Sequence, residues 1–188
     1  MPPTPYDHTW TLFLDRDGVL NRRLIADYVK RPAEFEWLPR VLPALQQLRR
    51  RFGRMVVVTN QQGVGKGIMT ADDLAAVHRR MRAQAAAHGV YFDGVYVCTA
   101  LATDGAACRK PAPGMAYEAR RDFPEIEFAR SVMVGDSPSD MRFGESLQMD
   151  CVGIGERSGM PPERRYASLW AWTRSLTLTD APSEAPPP

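Results

Sequence analysis

The sequence has few cysteines, with three among 188 residues. Three cysteines are few, and an odd number cannot all pair within one chain, which argues against a fold held together by a framework of disulfides. Long apolar runs are missing as well: none approaches the roughly 20 residues that cross a bilayer, and no basic and apolar leader is visible at the start. We therefore expect a cytoplasmic protein in a reducing compartment, without a membrane partner.

An excess of charge of one sign is also missing. The chain carries 24 Lys and Arg against 22 Asp and Glu, for a formal net charge of +2. Nucleic-acid binders usually show a strongly basic patch or stripe. The densest basic cluster, Arg49–Arg51 with Arg54, falls where a helix is predicted to end, and cations there complement the helix dipole. The composition predicts no nucleic-acid partner.

Short apolar runs alternate with helical patterns along the chain. This alternation predicts βαβ units, right-handed crossovers and a mainly parallel five-stranded sheet in an α/β protein. One domain over residues 1–178 is expected, followed by a proline-rich, disordered tail at 179–188. The predicted strands are Thr9–Leu14, Met55–Thr59, Val95–Cys98, Ser131–Gly135 and Cys151–Ile154.

Two of these strands end in residues suited to phosphate chemistry. Leu12–Leu14 stops at Asp15 and Asp17, and the run VVV at 56–58 stops at Thr59 and Asn60. The carboxyl ends of parallel strands share one edge of a sheet, where open α/β sheets bind their ligands. The Thr59 hydroxyl and the Asn60 N–H are candidates for binding phosphoryl oxygens. The glycines that follow do not match a phosphate-binding loop, which needs Gly at position 60 and Ser or Thr at 67.

Two later segments add charge of both signs. Arg109 and Lys110 precede a predicted helix, where Lys110 is a compact cation for a phosphate and Arg109 has a planar fork for a second phosphate or a sugar hydroxyl. Another strand ends at Asp136, a natural partner of Asp15 for Mg²⁺. Asp140 lies four residues on, and three roles stay open for it: capping its helix, supporting Lys110 or contacting the metal.

Taken together, the four segments resemble the haloacid dehalogenase superfamily of aspartate-nucleophile phosphatases. DxDG, a strand ending in Thr-Asn, a Lys before a helix and GDxxxD occur in that order over residues 12–154. The stretches DRDGVLN, EFEWLPRVLPAL, VVVTNQQGVGKG, VHRRM and CRKPAPGM are similar to the small branch that holds heptose bisphosphate phosphatases and histidinol-phosphate phosphatase domains. The resemblance implies a Rossmann-like three-layer α/β/α domain without a cap.

The resemblance also implies a set of roles. Asp15 is expected to be the nucleophile, Asp17 the general acid and base, Thr59 a phosphate binder and Lys110 a charge stabiliser. Mg²⁺ is the implied cofactor, with Asp15, Asp136 and the backbone carbonyl of Asp17 as its ligands. In this scheme Asp17 starts protonated and acts as the acid, while Asp15 is ionised and acts as the nucleophile. The different environments of the two carboxylates would set these two protonation states.

One family feature is incomplete in this chain. The family usually holds a structural zinc through a Cys, a His two residues later and a Cys-x-Cys before Arg-Lys-Pro. Cys98 and Cys108 match the first and last ligands, but Ala100 and Ala106 occupy the other positions. Two thiolates cannot close a tetrahedral site, so we expect no structural zinc, while a site rebuilt with Asp104 is the alternative.

These features predict a Mg²⁺-dependent phosphomonoesterase for a small phosphorylated metabolite, working through an aspartyl-phosphate. The stretch CRKPAPGM resembles the heptose enzymes, which implies a sugar bisphosphate such as D-glycero-D-manno-heptose 1,7-bisphosphate as the substrate, whereas the spacing of Cys98 and Cys108 resembles the histidinol-phosphatase loop. Histidinol phosphate is therefore the alternative substrate. A catalytically silent phosphate-binding or partner-binding protein is the alternative of another class. A monomer is expected.

Overall fold

The computed structural model describes residues 6–179, with side chains to residue 176. Within that range six parallel strands form one sheet in the order β3-β2-β1-β4-β5-β6. The strands are β1 Thr11–Leu14, β2 Arg54–Asn60, β3 Gly94–Cys98, β4 Ser131–Gly135, β5 Asp150–Ile154 and β6 Arg165–Tyr166. The helices are α1 Val41–Arg51, α2 Gln62–Gly65, α3 Ala71–Ala86, α4 Gly114–Asp122, α5 Pro138–Ser146 and α6 Leu169–Thr179.

The apolar strands are buried on both faces because helices cover both sides of the sheet. Alternate residues of a strand point to opposite faces, so Leu12 and Leu14 belong to one hydrophobic cluster and Phe13 to another. The first cluster includes side chains of α1, α3 and α6, and the second includes side chains of α4 and α5. The result is the three-layer α/β/α arrangement expected from the sequence.

β1 lies at the centre of the sheet, paired with β2 on one side and β4 on the other. The order of the strands reverses at this point, which opens a crevice at the carboxyl edge. Leu14 is in register with Val57 and Val134. The residues that follow these three strands therefore meet at the crevice. Within residues 6–179 no inserted domain covers it: the segment between β1 and α1 holds only a short 3₁₀ helix, Pro32–Glu34.

The α/β class is confirmed, with a difference in strand number. Five strands were predicted, and the sixth, Arg165–Tyr166, was missed because two residues carry no alternating pattern. Of the predicted tail, Thr179 ends α6 and the remaining residues, 180–188, lie outside the described part of the chain. Among the described residues no helix combines the length and apolar character needed to span a membrane.

Candidate active site

A cavity of about 680 Å³ opens at the carboxyl edge of the sheet. Its walls come from the loop after β1, the end of β2 and the loop that follows it, the loop before α4, the start of α5 and Arg157 after β5. Six of the seven sequence-predicted site residues line it, namely Asp15, Asp17, Thr59, Asn60, Arg109 and Lys110. The seventh, Asp136, brings a carboxylate oxygen within 4.8 Å of one from Asp15. The structure thus brings together residues from segments up to 121 positions apart in sequence.

Lys110 is a buried cation of this site. Its Nζ lies 2.7 Å from Oδ1 of Asp15 and 2.6 Å from Oδ1 of Asp140, and it also donates to the Val58 carbonyl at 2.8 Å. Burial by itself would lower the pKa of the ammonium, but the carboxylates of Asp140 and Asp15 outweigh burial and raise the pKa. Lys110 is therefore a fixed positive charge beside Asp15.

Asp15 follows β1 directly and is 7% exposed. Burial raises its pKa to about 7, an effect that the charge of Lys110 opposes and the neighbouring carboxylates reinforce. Its backbone N–H donates to the Val134 carbonyl at 2.9 Å, so the position of Asp15 is set by the pairing of β1 with β4. A buried carboxylate anchored in this way has one defined orientation toward the cavity.

Three carboxylates, from Asp15, Asp136 and Asp140, offer oxygens within 4.8 Å of one another. Hard oxygen donors of this kind suit Mg²⁺, which binds through one or two carboxylates and completes its shell with water and phosphate. Gly18, at φ +93°, makes room for Asp136, because a Cβ at position 18 would stand 2.2 Å from its Oδ2. The donor set fits a magnesium ion.

Two arginines balance the charge of Asp136. Arg23 Nη1 donates to both carboxylate oxygens of Asp136, at 3.0 and 3.1 Å, and Arg157 Nε lies 3.9 Å from Oδ2. Burial raises the pKa of Asp136, although Arg23 pulls it down. Sequence patterns did not indicate these pairs, since Arg23 and Asp136 are separated by 113 positions.

Asp17 points to a different set of partners. Its carboxylate accepts from Arg16 Nη2 at 3.0 and 2.9 Å, from Asn21 Nδ2 at 2.9 Å and from Gln61 Nε2 at 2.8 Å. Burial works to raise its pKa, but the charge of Arg16 and these hydrogen bonds prevail and lower it. The surroundings of Asp17 therefore favour its ionised form and not the protonated form that was expected, because Arg16 lies against the carboxylate as a counterion.

Thr59, Asn60 and Arg109 surround the same cavity. Thr59 is buried, and its Oγ1 accepts from Gln61 Nε2 at 2.8 Å. The Asn60 side chain holds the Lys110 backbone, accepting from its N–H at 3.0 Å and donating to its carbonyl at 3.1 Å. Arg109 donates to the Ala100 carbonyl at 3.2 Å. Asn60 therefore fixes the position of Lys110, a contact that the sequence did not reveal.

Asp140 fulfils two of the roles left open for it. Ser137 N and Oγ donate to its Oδ2 at 3.1 and 2.6 Å, and the two residues form the capping box of α5. The other oxygen pairs with Lys110. Gly135 permits this arrangement, since a Cβ there would lie 2.2 Å from the Asp140 Cβ.

Cys98 and Cys108 are joined by a disulfide, which the cysteine count did not suggest. The fold brings them together because Cys98 ends β3 and Cys108 lies in the loop that leads to Lys110. In this arrangement neither sulfur is free to bind a metal. The predicted lack of structural zinc stays a prediction, which metal analysis of the purified protein would test.

His78 on α3 is connected to the site through Arg16. Its Nε2 accepts from Nη1 of the buried Arg16 at 2.9 Å. Burial, together with the charge of Arg16, lowers the pKa of His78 to about 3. The sequence feature that could have indicated this pair is Arg16 between Asp15 and Asp17, because a buried arginine needs partners for its hydrogen-bond donors.

The neutral His78 makes a testable contribution to acid stability. Its folded pKa of about 3 lies below the ordinary value of 6.5, so the unfolded chain binds the extra proton. The free energy of unfolding should therefore fall as the pH drops from about 6.5 toward 3, by up to ~1.4 kcal/mol per unit from this residue. Urea unfolding at several pH values, compared between the wild type and His78→Leu, measures it. Parallel pH profiles for the two proteins would contradict the account.

Comparison with known proteins gives consistent matches. A family profile described as "Polynucleotide kinase 3 phosphatase" matches residues 12–152. The chain is 42% identical over 169 residues to the D-glycero-alpha-D-manno-heptose-1,7-bisphosphate 7-phosphatase of Mycobacterium bovis, covering 87% of this chain and 89% of the relative. It is 32% identical over 179 residues to the D-glycero-beta-D-manno-heptose-1,7-bisphosphate 7-phosphatase of Escherichia coli K12, covering 90% and 92%.

A solved structure shares the fold. The D,D-heptose 1,7-bisphosphate phosphatase of Bordetella bronchiseptica, solved with magnesium and phosphate, superposes with a TM-score of 0.80. It is 30% identical in sequence, and the match covers 90% of this chain and 99% of that one.

Proposed function

Since this chain belongs to the haloacid dehalogenase superfamily of phosphatases, in the branch of the D-glycero-manno-heptose-1,7-bisphosphate 7-phosphatases, we propose that it removes one phosphate from a sugar bisphosphate with the help of Mg²⁺. The family was expected from the sequence and is confirmed by these relatives. Phosphoric monoester hydrolysis is the activity that the relatives' names describe.

The observation that carries the proposal is the contact between Asp15 and Lys110. A carboxylate that attacks a phosphomonoester dianion meets like-charge repulsion. Lys110, held 2.7 Å from Asp15 by its own buried contacts, reduces that repulsion for both reactants. Simple phosphate binding needs no carboxylate at this place. The arrangement therefore favours an enzyme over a catalytically silent binding protein.

We assign the chemical steps as follows. The Asp15 carboxylate attacks phosphorus, the ester bond breaks, and an aspartyl-phosphate forms while the sugar leaves as an alcohol. Mg²⁺ supplies charge neutralisation at the phosphoryl oxygens when bound, and Asp15, Asp136 and the Asp17 carbonyl would hold it, with Asp140 as a further donor. Thr59 and the Asn60 N–H would bind phosphoryl oxygens, and Arg109 would bind the rest of the substrate.

Asp17 is assigned as the group that gives a proton to the leaving alkoxide and later takes one from the attacking water. Its carboxylate is ionised in the arrangement described above, so it must gain a proton before the first step. A phosphate dianion beside it disfavours the ionised form, as any like charge does. The charge of the substrate thereby helps to protonate Asp17.

The proposed substrate is a D-glycero-D-manno-heptose 1,7-bisphosphate. The relative that is 42% identical to this chain is named for the alpha form of this sugar, and the relative that is 32% identical is named for the beta form. We therefore favour the alpha form. The family profile of a polynucleotide 3-phosphatase makes a nucleic-acid 3′-phosphate the second candidate. A cytoplasmic location and a monomeric state stay predictions from the sequence.

A phosphate-release assay tests the function. The purified protein with Mg²⁺ is offered the alpha and beta heptose bisphosphates, histidinol phosphate and an oligonucleotide with a 3′-phosphate. We expect the highest kcat/KM for a heptose bisphosphate. The highest value for the oligonucleotide or for histidinol phosphate would replace the proposed substrate, and no release from any of them would refute the activity.

The metal assignment predicts a shifted Mg²⁺ requirement in Asp136→Asn. Replacing one oxygen-donor carboxylate by a neutral amide should raise the Mg²⁺ concentration for half-maximal activity by roughly 10- to 100-fold, an effect of the size seen when metal-site partners are removed. Titration of activity with Mg²⁺ measures it. Glu145→Gln, a change at an exposed residue of α5, serves as the control. An unchanged half-saturation in Asp136→Asn would exclude Asp136 as a ligand.

A further inference from the structure

Three side chains, Asp17, Arg16 and His78, run from the cavity wall to α3. Arg16 is fully buried between them. Its Nη2 donates to both carboxylate oxygens of Asp17, at 3.0 and 2.9 Å, and its Nη1 donates to Nε2 of His78 at 2.9 Å. His78 is not among the residues that line the cavity, so it reaches the site only through Arg16.

The direction of the contact between Arg16 and His78 is fixed by chemistry. A guanidinium has only donors, so Nε2 of His78 must accept and the ring proton must sit on Nδ1. The ring is neutral in this state, because a charged imidazolium would offer a second donor to Arg16 instead of an acceptor. His78 is thus an acceptor beside a buried cation, where a protonated ring would repel Arg16.

The planar shape of the guanidinium makes this contact matter for Asp17. Nη1 and Nη2 belong to one rigid plane, and a partner at each end sets the orientation of that plane. The third nitrogen, Nε, has no hydrogen-bond partner in the described part of the chain. Without the acceptor on His78 the plane is held from the Asp17 side alone, and the buried Nη1 is left unsatisfied.

We propose that His78 is a positioning residue for the phosphatase reaction, which acts through Arg16 to orient the Asp17 carboxylate toward the leaving oxygen. The proposal rests on the proposed function, in which Asp17 donates the proton to the departing alkoxide. His78 itself touches neither substrate nor metal in this scheme. The plain alternative is that His78 only packs α3 against β1.

The two explanations differ in how they depend on the leaving group. A sugar alkoxide is a poor leaving group that needs the proton from Asp17, whereas para-nitrophenolate leaves without one. kcat/KM reports the steps up to the departure of this group, so later hydrolysis of the aspartyl-phosphate does not enter. A positioning defect should therefore lower kcat/KM for the sugar substrate far more than for para-nitrophenyl phosphate, while a packing defect lowers both alike.

The test uses two variants of His78 and one of its neighbour. His78→Leu replaces the acceptor by an apolar side chain of similar size. His78→Gln places an amide oxygen, which is also an acceptor, near the position of Nε2. Val77→Ala, at the adjacent fully buried residue of α3, loosens the packing of the same helix without touching Arg16. Asp17→Asn is measured in parallel with both substrates.

For His78→Leu we expect kcat/KM with the heptose bisphosphate to fall roughly 10- to 100-fold, because a misoriented Asp17 loses part of the general-acid contribution. With para-nitrophenyl phosphate we expect kcat/KM to fall less than about threefold, because this leaving group needs no proton. His78→Gln should recover most of the loss, and Val77→Ala should leave the ratio of the two substrates unchanged. Equal losses with both substrates in His78→Leu, or no recovery in His78→Gln, would overturn the positioning role.

Asp17→Asn separates a failure of this inference from a failure of the proposed function. A selective loss with the sugar substrate in Asp17→Asn but not in His78→Leu leaves the function standing and refutes the role of His78. Full activity of Asp17→Asn with the sugar substrate refutes the acid role of Asp17, and the positioning role of His78 falls with it.

Discussion

Asp15→Asn should abolish turnover, with a loss of about 10⁵-fold or more, the size seen when a covalent nucleophile is removed. The amide has no anionic oxygen to attack phosphorus, and neither Asp136 nor Asp140 can replace it, since Asp136 is paired with Arg23 and Asp140 with Lys110 and Ser137. Phosphate release from the heptose bisphosphate under saturating Mg²⁺ measures the loss. Asp15→Ala, which cannot revert by deamidation, should be equally inactive.

The fold should survive Asp15→Asn. The pKa of Asp15 is raised to about 7 chiefly by burial, so the folded state holds the proton more tightly than the unfolded chain does. The contribution of Asp15 to stability therefore falls as the pH rises from about 4 to 7. At pH 8 a neutral asparagine should give a free energy of unfolding at least equal to that of the wild type. Asp72→Asn, at an exposed residue of α3 outside the cavity, controls for the substitution and should keep activity within about twofold.

Lys110→Met should lose both activity and stability. The variant removes the cation that lies against both Asp15 and Asp140 and leaves two buried carboxylates without their partner. Loss of one member of a buried ion pair costs about 3–5 kcal/mol. Activity should fall about 10³-fold, the upper range for one group that stabilises charge in the transition state. Urea unfolding and phosphate release measure the two effects.

The pH dependence of the Lys110→Met defect identifies its cause. Burial raises the pKa of Asp15 to about 7, and its protonation removes unpaired charge in the variant, so the stability difference from the wild type should be smaller at pH 5 than at pH 8. Lys66→Met, the same change at an exposed lysine of the cavity wall, should shift the free energy of unfolding by no more than about 0.5 kcal/mol. A stability loss that is equal at both pH values would indicate lost packing instead of unpaired charge.

The sequence was sufficient to predict where Asp15, Thr59 and Asp136 meet. Each of them stands at the end of an apolar strand, and parallel pairing forces the carboxyl ends of such strands to one edge. Lys110 was harder to place, because it lies in a loop, and only its position before a helix in a family pattern indicated it. The α/β class and all five longer strands followed from short-range patterns in the same way.

The remaining features depend on contacts between distant segments. The pairing of Arg16 with His78, of Arg23 with Asp136 and of Cys98 with Cys108 follows from how the helices and loops pack on the sheet, which no local pattern specifies. The lowered pKa of Asp17 likewise comes from its surroundings, namely the charge of Arg16 and the hydrogen bonds from Asn21, Arg16 and Gln61. The role expected from the family predicted a protonated Asp17, whereas in the structure Arg16 pairs with an Asp17 carboxylate whose pKa is lowered.

The most direct test of the central claim is to trap the phosphorylated enzyme. The protein is mixed with a slight excess of substrate and Mg²⁺, quenched in acid within the first turnover and treated with borohydride, which reduces an aspartyl-phosphate to homoserine. Mass spectrometry of the peptide that contains residue 15 should then show homoserine at Asp15 and an unmodified Asp17. Phosphate release without any change at residue 15, or with the change at another aspartate, would contradict the account.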